Sequence, residues 1–381
     1  MEYCGIDIID GKYKRITVSE GFITDIRVLS EVEDNTRYLS PTFTDMQVNG
    51  YMGVDYSGDD LNEDGILFLI KELSRSGTFR HVPTIITNSE ERIIKNLSVI
   101  SNACNHNPII RNAIIGIHIE GPFISSKDGP RGAHDPLYVR ELDIEEVKRW
   151  QRAGQGLVKI ITIAPEKNGA VPFIRKVTDM GINVAIGHAE PSEKEVLDAV
   201  DAGARLSTHL GNGSSAMLPR LKNHIWVQTA EDRLTAGIIS DGFHLPRSVV
   251  KTIYRTKGID NIILVSDVAL LGGMKPGLAK WGNIDVEICQ DGHLSLAGTS
   301  LLAGAGHLLD WDIAKFMSFT GAGIKEAIKT VTVNPNRVLG AYINSGYKVG
   351  DRADILSFDI GDERLEIEKG SYGELTKGDD K

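Results

Sequence analysis

The sequence predicts an α/β protein: a (β/α)8 TIM-type barrel with a small β-sandwich domain formed from both chain ends. Three observations carry that prediction. Short β-branched apolar runs recur eight times through the middle of the chain. Helical patterns fill the gaps between them, which is the alternation of a parallel barrel. The two ends read instead as short strands separated by turn residues, and neither can bury a core alone. A doubly wound open sheet is the competing arrangement.

Length and charge bound the problem further. A chain of 381 residues fits either a barrel with a smaller partner or two medium domains. Its 41% hydrophobic and 25% charged residues are globular values, so disorder and fibrous structure are excluded. The net charge of −10 argues against nucleic acid as a partner, though not against one local pocket for a small anion. Cys4, Cys104 and Cys289 are scattered and form no disulfide framework, which suits a reducing compartment. No signal-peptide pattern opens the chain, and no apolar run nears the ~18 residues of a membrane helix. A cytoplasmic protein without membrane contact is expected.

In order along the chain, residues 1–42 form the first part of the small β domain, with strands at 5–9, 13–19 and 22–28. The barrel occupies 43–345. Its strands are expected at 44–49, 81–86, 113–120, 158–163, 183–188, 205–209, 235–240 and 262–267. Most are continuous apolar runs, as strands covered on both faces require. Ser192 and Glu195 form a capping box before Val196, with Gly203 closing that helix. Asp143 caps the segment 144–153, and Pro246 sits in the first turn of another helix. Residues 346–381 complete the small domain through strands at 354–358 and 365–367. The polar stretch 370–381 is expected to fray. Trp226 and Trp311 read as core.

Chemistry in such a barrel gathers at the C-terminal strand ends. Four predicted strands end there in Glu120, His188, His209 and Asp267. Each alone has a structural explanation: a hydrogen-bonded histidine, a turn, a helix cap. Four charged or ionisable groups at corresponding positions need pairing or coordination. One carboxylate and two imidazoles make a known catalytic metal set with a position left for water, and Asp267 would stand beside that water as general base. Those parts suit hydrolysis of an amide or related C–N bond. His118, two residues before Glu120 on the same strand face, would brace the site rather than coordinate. His81, at the start of the second barrel strand, reads as structural, and His106, His224, His293 and His307 lack supporting neighbours in the sequence.

The chain resembles the amidohydrolase superfamily, and within it the N-acetylglucosamine-6-phosphate deacetylase family, as a divergent branch. The resemblance rests on Pro41–Gly50, His118–Phe123, Gly132–Pro136, Gly187-His188, Thr208–Leu210, Ser240–His244, Val265–Asp267, Leu296–Thr299, Asn334–Gly340 and Gly350–Ile355. It implies a barrel of the amidohydrolase kind, Glu120, His188 and His209 as metal ligands, and Asp267 as base. It implies substrate contacts from Ala133, His134, Asn212, Gly213 and His244, and a pocket near the acetyl group lined by Ala297 and Gly298. Arg220 would bind the phosphate across the interface of a homodimer.

The sequence departs from the family in three places. Gln47-Val48-Asn49 replaces the superfamily's His-x-His, and amides are poor ligands for a second transition metal. One divalent ion per subunit follows, zinc by default, with iron, cobalt or manganese compatible; Gln47 and Asn49 would support the site or its water. The segment Gly211–Met217 and the Glu120–His134 interval also differ from the family pattern. The implied reaction is deacetylation of an amino sugar phosphate. Another N-acyl substrate or cyclic amide is the alternative, and a non-catalytic interaction protein the remote one.

Overall fold

A computed structural model describes residues 1–30, 37–281, 284–299, 301–373 and 375–377. Eight parallel strands follow one another in chain order: Phe43–Val48, Thr78–Ile86, Ile117–Glu120, Val158–Ile163, Asn183–Ile186, Leu206–Ser207, Thr235–Ile238 and Ile262–Leu264. Beyond the last strand the ring is brought to near closure by a parallel bridge between Val48 and Val268. This is the barrel rather than the open sheet. Met46, Val82, Ile160, Ala185, Leu206, Ile239, Ile263 and Val265 fill its interior. A second, larger apolar layer lies between strands and helices. Residues of strands such as Phe43–Val48 and Ile117–Glu120 are buried throughout, which explains why their sequences do not alternate.

The local signals act as the sequence suggests. Asp143 accepts from the Glu145 amide and opens the helix Ile144–Ala153, whose Val147 and Trp150 are buried. Ser192 and Glu195 form the reciprocal capping box of Glu193–Ala202. Pro246 is the N-cap of Arg247–Lys257, one position before the expected first turn.

Several strands end earlier than expected. The runs predicted through His188, His209 and Asp267 stop at Ile186, Ser207 and Leu264. The three residues themselves leave the extended region, with φ of +50°, +27° and +52°. The predicted strand at 113–120 is also shorter: it runs Ile117–Glu120, and Ala113 instead ends the helix Pro108–Ala113, which Asn107 caps.

Both chain ends meet in one seven-stranded sheet, in the order Leu375–Lys377, Leu365–Tyr372, Asp354–Ile360, Tyr38–Ser40, Glu2–Asp7, Tyr13–Ser19, Phe22–Val28. The expectation that 370–381 frays fails as far as Lys377. Gly370 to Tyr372 pair with Leu375 to Lys377. Residues 374 and 378–381 lie outside the described residues. One element was not anticipated: an antiparallel sheet of Gly277–Trp281, Ile284–Ile288 and Leu294–Leu296, inserted after the eighth barrel strand. Trp226, expected in the core, is 49% exposed. No helix among the described residues is long and apolar enough to cross a membrane.

Candidate metal and active site

The strand ends bring Glu120, His188 and His209 together. His209 Nε2 lies 3.0 Å from Glu120 Oε1 and 3.0 Å from His188 Nε2, and His188 Nε2 lies 3.4 Å from the same carboxylate oxygen. All three side chains are buried. The left-handed turns at His188 and His209 aim these imidazoles inward, and Asp267 shares the conformation. Among the described residues only six non-glycine residues have positive φ, and three of them are here. Such strain persists where surrounding structure over-determines it.

Each ligand candidate is held from behind. His188 Nδ1 donates to the Pro130 carbonyl at 2.9 Å, which leaves Nε2 unprotonated and facing Glu120 in the neutral ring. Two glycines enclose that ring. A Cβ at Gly213 would lie 2.9 Å from His188 Nδ1, and one at Gly132 would lie 3.2 Å from His188 Cε1. Nitrogen lone pairs converging with a carboxylate oxygen are mutually unsatisfied unless a proton or a cation sits among them. The donor set is therefore chemically fit for a divalent metal of the zinc type. Burial works to raise the Glu120 carboxyl, but hydrogen bonds and charge from His188 and His209 outweigh it and hold the group well below the usual range.

Asp267 has a different environment. Burial, reinforced by the negative charge of Glu120, pushes its carboxyl up to about 6. The Asn49 amide donates to Asp267 Oδ1 at 2.7 Å and opposes that rise. The Gln47 amide donates to Glu120 Oε1 at 2.9 Å. Both amides thus serve as donors to carboxylates. His118 turns away from the cluster: its Nε2 pairs with Thr162 Oγ1 at 2.7 Å, and burial lowers its pKa to about 4.

His134 joins the cluster more closely than a substrate-side position suggests. Its Nε2 is 3.3 Å from His188 Nε2, and Glu120, His134 and His188 have the mutual spacing of a three-donor metal group, as do Cys289, Asp291 and His293 among the described residues. Burial, with the neighbouring His188, keeps the His134 imidazole well below its usual pKa. Thr87 holds the other side of the ring: its Oγ1 lies 2.8 Å and its backbone amide 3.4 Å from His134 Nδ1.

A cavity of about 230 Å³ covers these groups. Ala133, Asn212, Gly213 and His244 line it, as do Trp281, Leu302 and Gly304. His244 Nδ1 is fixed by Asp241 Oδ2 at 2.7 Å. A larger cavity of about 570 Å³ lies elsewhere, bordered by Arg75, His307 and Arg364, and holds none of the cluster.

One expectation about the rim needs correction. Ala297 and Gly298 do not line the cavity; they form the turn after Leu294–Leu296, and Gly298 is exposed with open space around it. The sequence contains Leu-Ala-Gly twice, at 296–298 and 302–304, and the second copy reaches the site. Arg220 also lies outside the cavity, exposed and without an ion-pair partner among the described residues. Arg220 sits in an exposed loop. Among the described residues no lysine or arginine lines the cavity.

Sequence reading missed several supporting residues. His293 and His307 do have neighbours: Phe243 stacks on His293 at 4.6 Å and on His307 at 5.6 Å, and His307 stacks on Trp311 at 4.2 Å. Trp311 Nε1 donates to the Asp241 carbonyl at 2.9 Å, so it is partly buried and braces the loop that carries His244. Only the Phe243-His244 adjacency hinted at this. Trp281 carried no signal.

Comparison with known proteins agrees with this geometry. Residues 38–377 match the amidohydrolase family. The chain is similar to the N-acetylglucosamine-6-phosphate deacetylase of Bos taurus, 30% identical over 89% of this chain and 84% of that protein. The Bacillus subtilis (strain 168) protein of the same name is 28% identical over 93% and 88%. The crystal structure of N-acetyl-D-glucosamine-6-phosphate deacetylase from Mycobacterium smegmatis superposes with a TM-score of 0.82 at 25% identity, covering 96% of this chain and 95% of that one. That of the Pasteurella multocida enzyme gives 0.84 at 22%, covering 99% and 100%. With a barrel of this form and its buried histidine–carboxylate cluster, the chain belongs to the amidohydrolase family, in its N-acetylglucosamine-6-phosphate deacetylase branch.

Proposed function

We propose that this protein is a metal-dependent deacetylase that hydrolyses the N-acetyl amide of N-acetylglucosamine 6-phosphate, giving acetate and glucosamine 6-phosphate. The observation that carries the reading is the convergence of Glu120, His188 and His209 in one cavity with Asp267. The Mycobacterium smegmatis enzyme has also been solved in complex with N-acetyl-D-glucosamine-6-phosphate.

Glu120, His188 and His209 would hold one ion, zinc by default. A second ion is not expected, because the Gln47 and Asn49 amides are engaged with the carboxylates. When bound, the ion supplies Lewis acidity to the water and the amide carbonyl. Asp267, ionised at neutral pH, accepts the proton of the attacking water as its oxygen bonds to the acyl carbon. The same carboxyl returns that proton to the amide nitrogen as the C–N bond breaks, so acetate and the free amine leave in balance. His134, beside His188 in the cavity, would contact the substrate there. His244, anchored by Asp241, leaves Nε2 to hydrogen-bond the sugar. Asn212 and the Ala133 and Gly213 backbones complete the wall.

The phosphate needs a cation that this cavity does not itself contain. Arg220 is exposed beside Met217 and Leu221, which are 91% and 72% exposed. That combination suits a homodimer in which each Arg220 reaches the other subunit's cavity. Without such a second copy, the lack of lysine and arginine favours an unphosphorylated N-acyl sugar. Three free cysteines are in keeping with a reducing, cytoplasmic compartment. The test is acetate release from N-acetylated hexosamines with and without the 6-phosphate. Faster turnover of the phosphorylated glucosamine derivative is expected; no acetate from any of them overturns the reading.

A further inference from the structure

The cavity has an apolar wall that the catalytic groups leave unused. Ile86, Trp281 and Leu302 are its large apolar lining residues. Trp281 ends the strand Gly277–Trp281 of the antiparallel insertion, and its ring lies against Gly304. A Cβ at Gly304 would meet that ring at 3.2 Å and the Ala269 methyl at 3.0 Å, and Gly304 has φ +82°. A side chain there would displace the ring, so glycine sets its position. Behind it stands the insertion's own small core of Ala269, Leu271, Val286, Ile288, Leu294 and Ala303, with Trp281 packed on its edge. Ala269 follows Asp267 by two residues. One short segment therefore fixes both the proton acceptor and the wall.

An N-acyl amino sugar phosphate is polar everywhere except at its acyl chain. The carbonyl carbon must sit between the histidine–carboxylate cluster and Asp267, and its alkyl group is one bond away. We propose that Trp281, with Leu302 and Ile86, forms the acyl pocket, and that the Trp281 ring sets the upper limit on acyl length. This rests on the deacetylase reading above.

The experiment compares kcat/KM for the N-acetyl, N-propionyl and N-butyryl derivatives of glucosamine 6-phosphate in wild type, Trp281→Leu and Trp281→Ala. One methylene in an apolar pocket is worth about 10- to 200-fold in discrimination. Wild type should prefer acetyl. The butyryl-to-acetyl ratio should rise about 10-fold or more in Trp281→Ala, with Trp281→Leu between. Because a ratio is independent of the active fraction, partial misfolding does not obscure it. An unchanged ratio in both variants overturns the proposal. A changed preference between gluco and galacto substrates at constant acyl ratio also overturns it, and makes the ring a sugar platform. Wild type inactive on all three substrates would instead sink the deacetylase reading itself.

Discussion

The floor and the rim of the cavity are built by different means. On the floor, Glu120, His188 and His209 are buried and Asp267 is half-buried, and all four are attached to strand ends by at most two intervening residues. Their positions follow from barrel geometry and left-handed turns. On the rim, Trp281 comes from an inserted sheet, Leu302 and Gly304 from a connection, and Arg220 from an exposed loop. The floor thus fixes the reaction, while the rim adjusts what is admitted.

The largest test of that division is Asp267→Asn. Loss of a positioned base costs about 10²- to 10⁴-fold. Steady-state kcat should fall by that factor, while metal analysis shows the content of wild type. A variant with unchanged metal and unchanged rate would remove Asp267 from the reaction.

Gly213→Ala asks whether the rim can damage the floor. The new Cβ would sit against His188 Nδ1, at a residue whose φ of +56° already disfavours a side chain. Disturbing what orients a ligand typically costs about 10- to 100-fold in metal affinity. Chelator competition should show that loss, with activity restored by excess metal. Wild-type affinity would mean the His188 ring tolerates the intrusion.

Arg220→Ala belongs wholly to the rim. Charge-assisted hydrogen bonds to phosphate imply a KM for the phosphorylated sugar raised about 10- to 30-fold, with kcat nearly retained. Activity on the unphosphorylated sugar should stay unchanged. Mixing this variant with an Asp267→Asn chain tests the shared site, because hybrid dimers then regenerate one complete cavity. No recovery on mixing would confine Arg220 to its own subunit.

The same division explains what could be read from the sequence. Strand ends announce themselves, because an ionisable residue closing an apolar run is conspicuous. Glu120, His188, His209 and Asp267 were found this way. His134 was visible as a residue but not as a neighbour of His188, since that contact spans two loops. The two Leu-Ala-Gly copies are indistinguishable by spacing, and it is the second, at 302–304, that reaches the cavity. Trp281 and the Phe243–His307–Trp311 stack depend on how an insertion folds back, and no short-range pattern records that.

The smallest expected effect lies at the contact between Asn49 and Asp267. Asp267 works only when ionised, and burial with Glu120's charge raises its carboxyl to about 6. Activity should therefore fall as pH drops through that region. The Asn49 amide favours the ionised form, so Asn49→Leu leaves it less supported and moves the acidic limb to higher pH. A cation held by the cluster pulls both limbs down together, so the difference between the enzymes survives. At pH 6 the variant should lose about 3- to 10-fold more activity, relative to its own value at pH 8, than wild type does. Identical profiles of kcat/KM against pH would show that the Asn49 hydrogen bond does not tune the base, and that the strand carrying Gln47 and Asn49 contributes position alone.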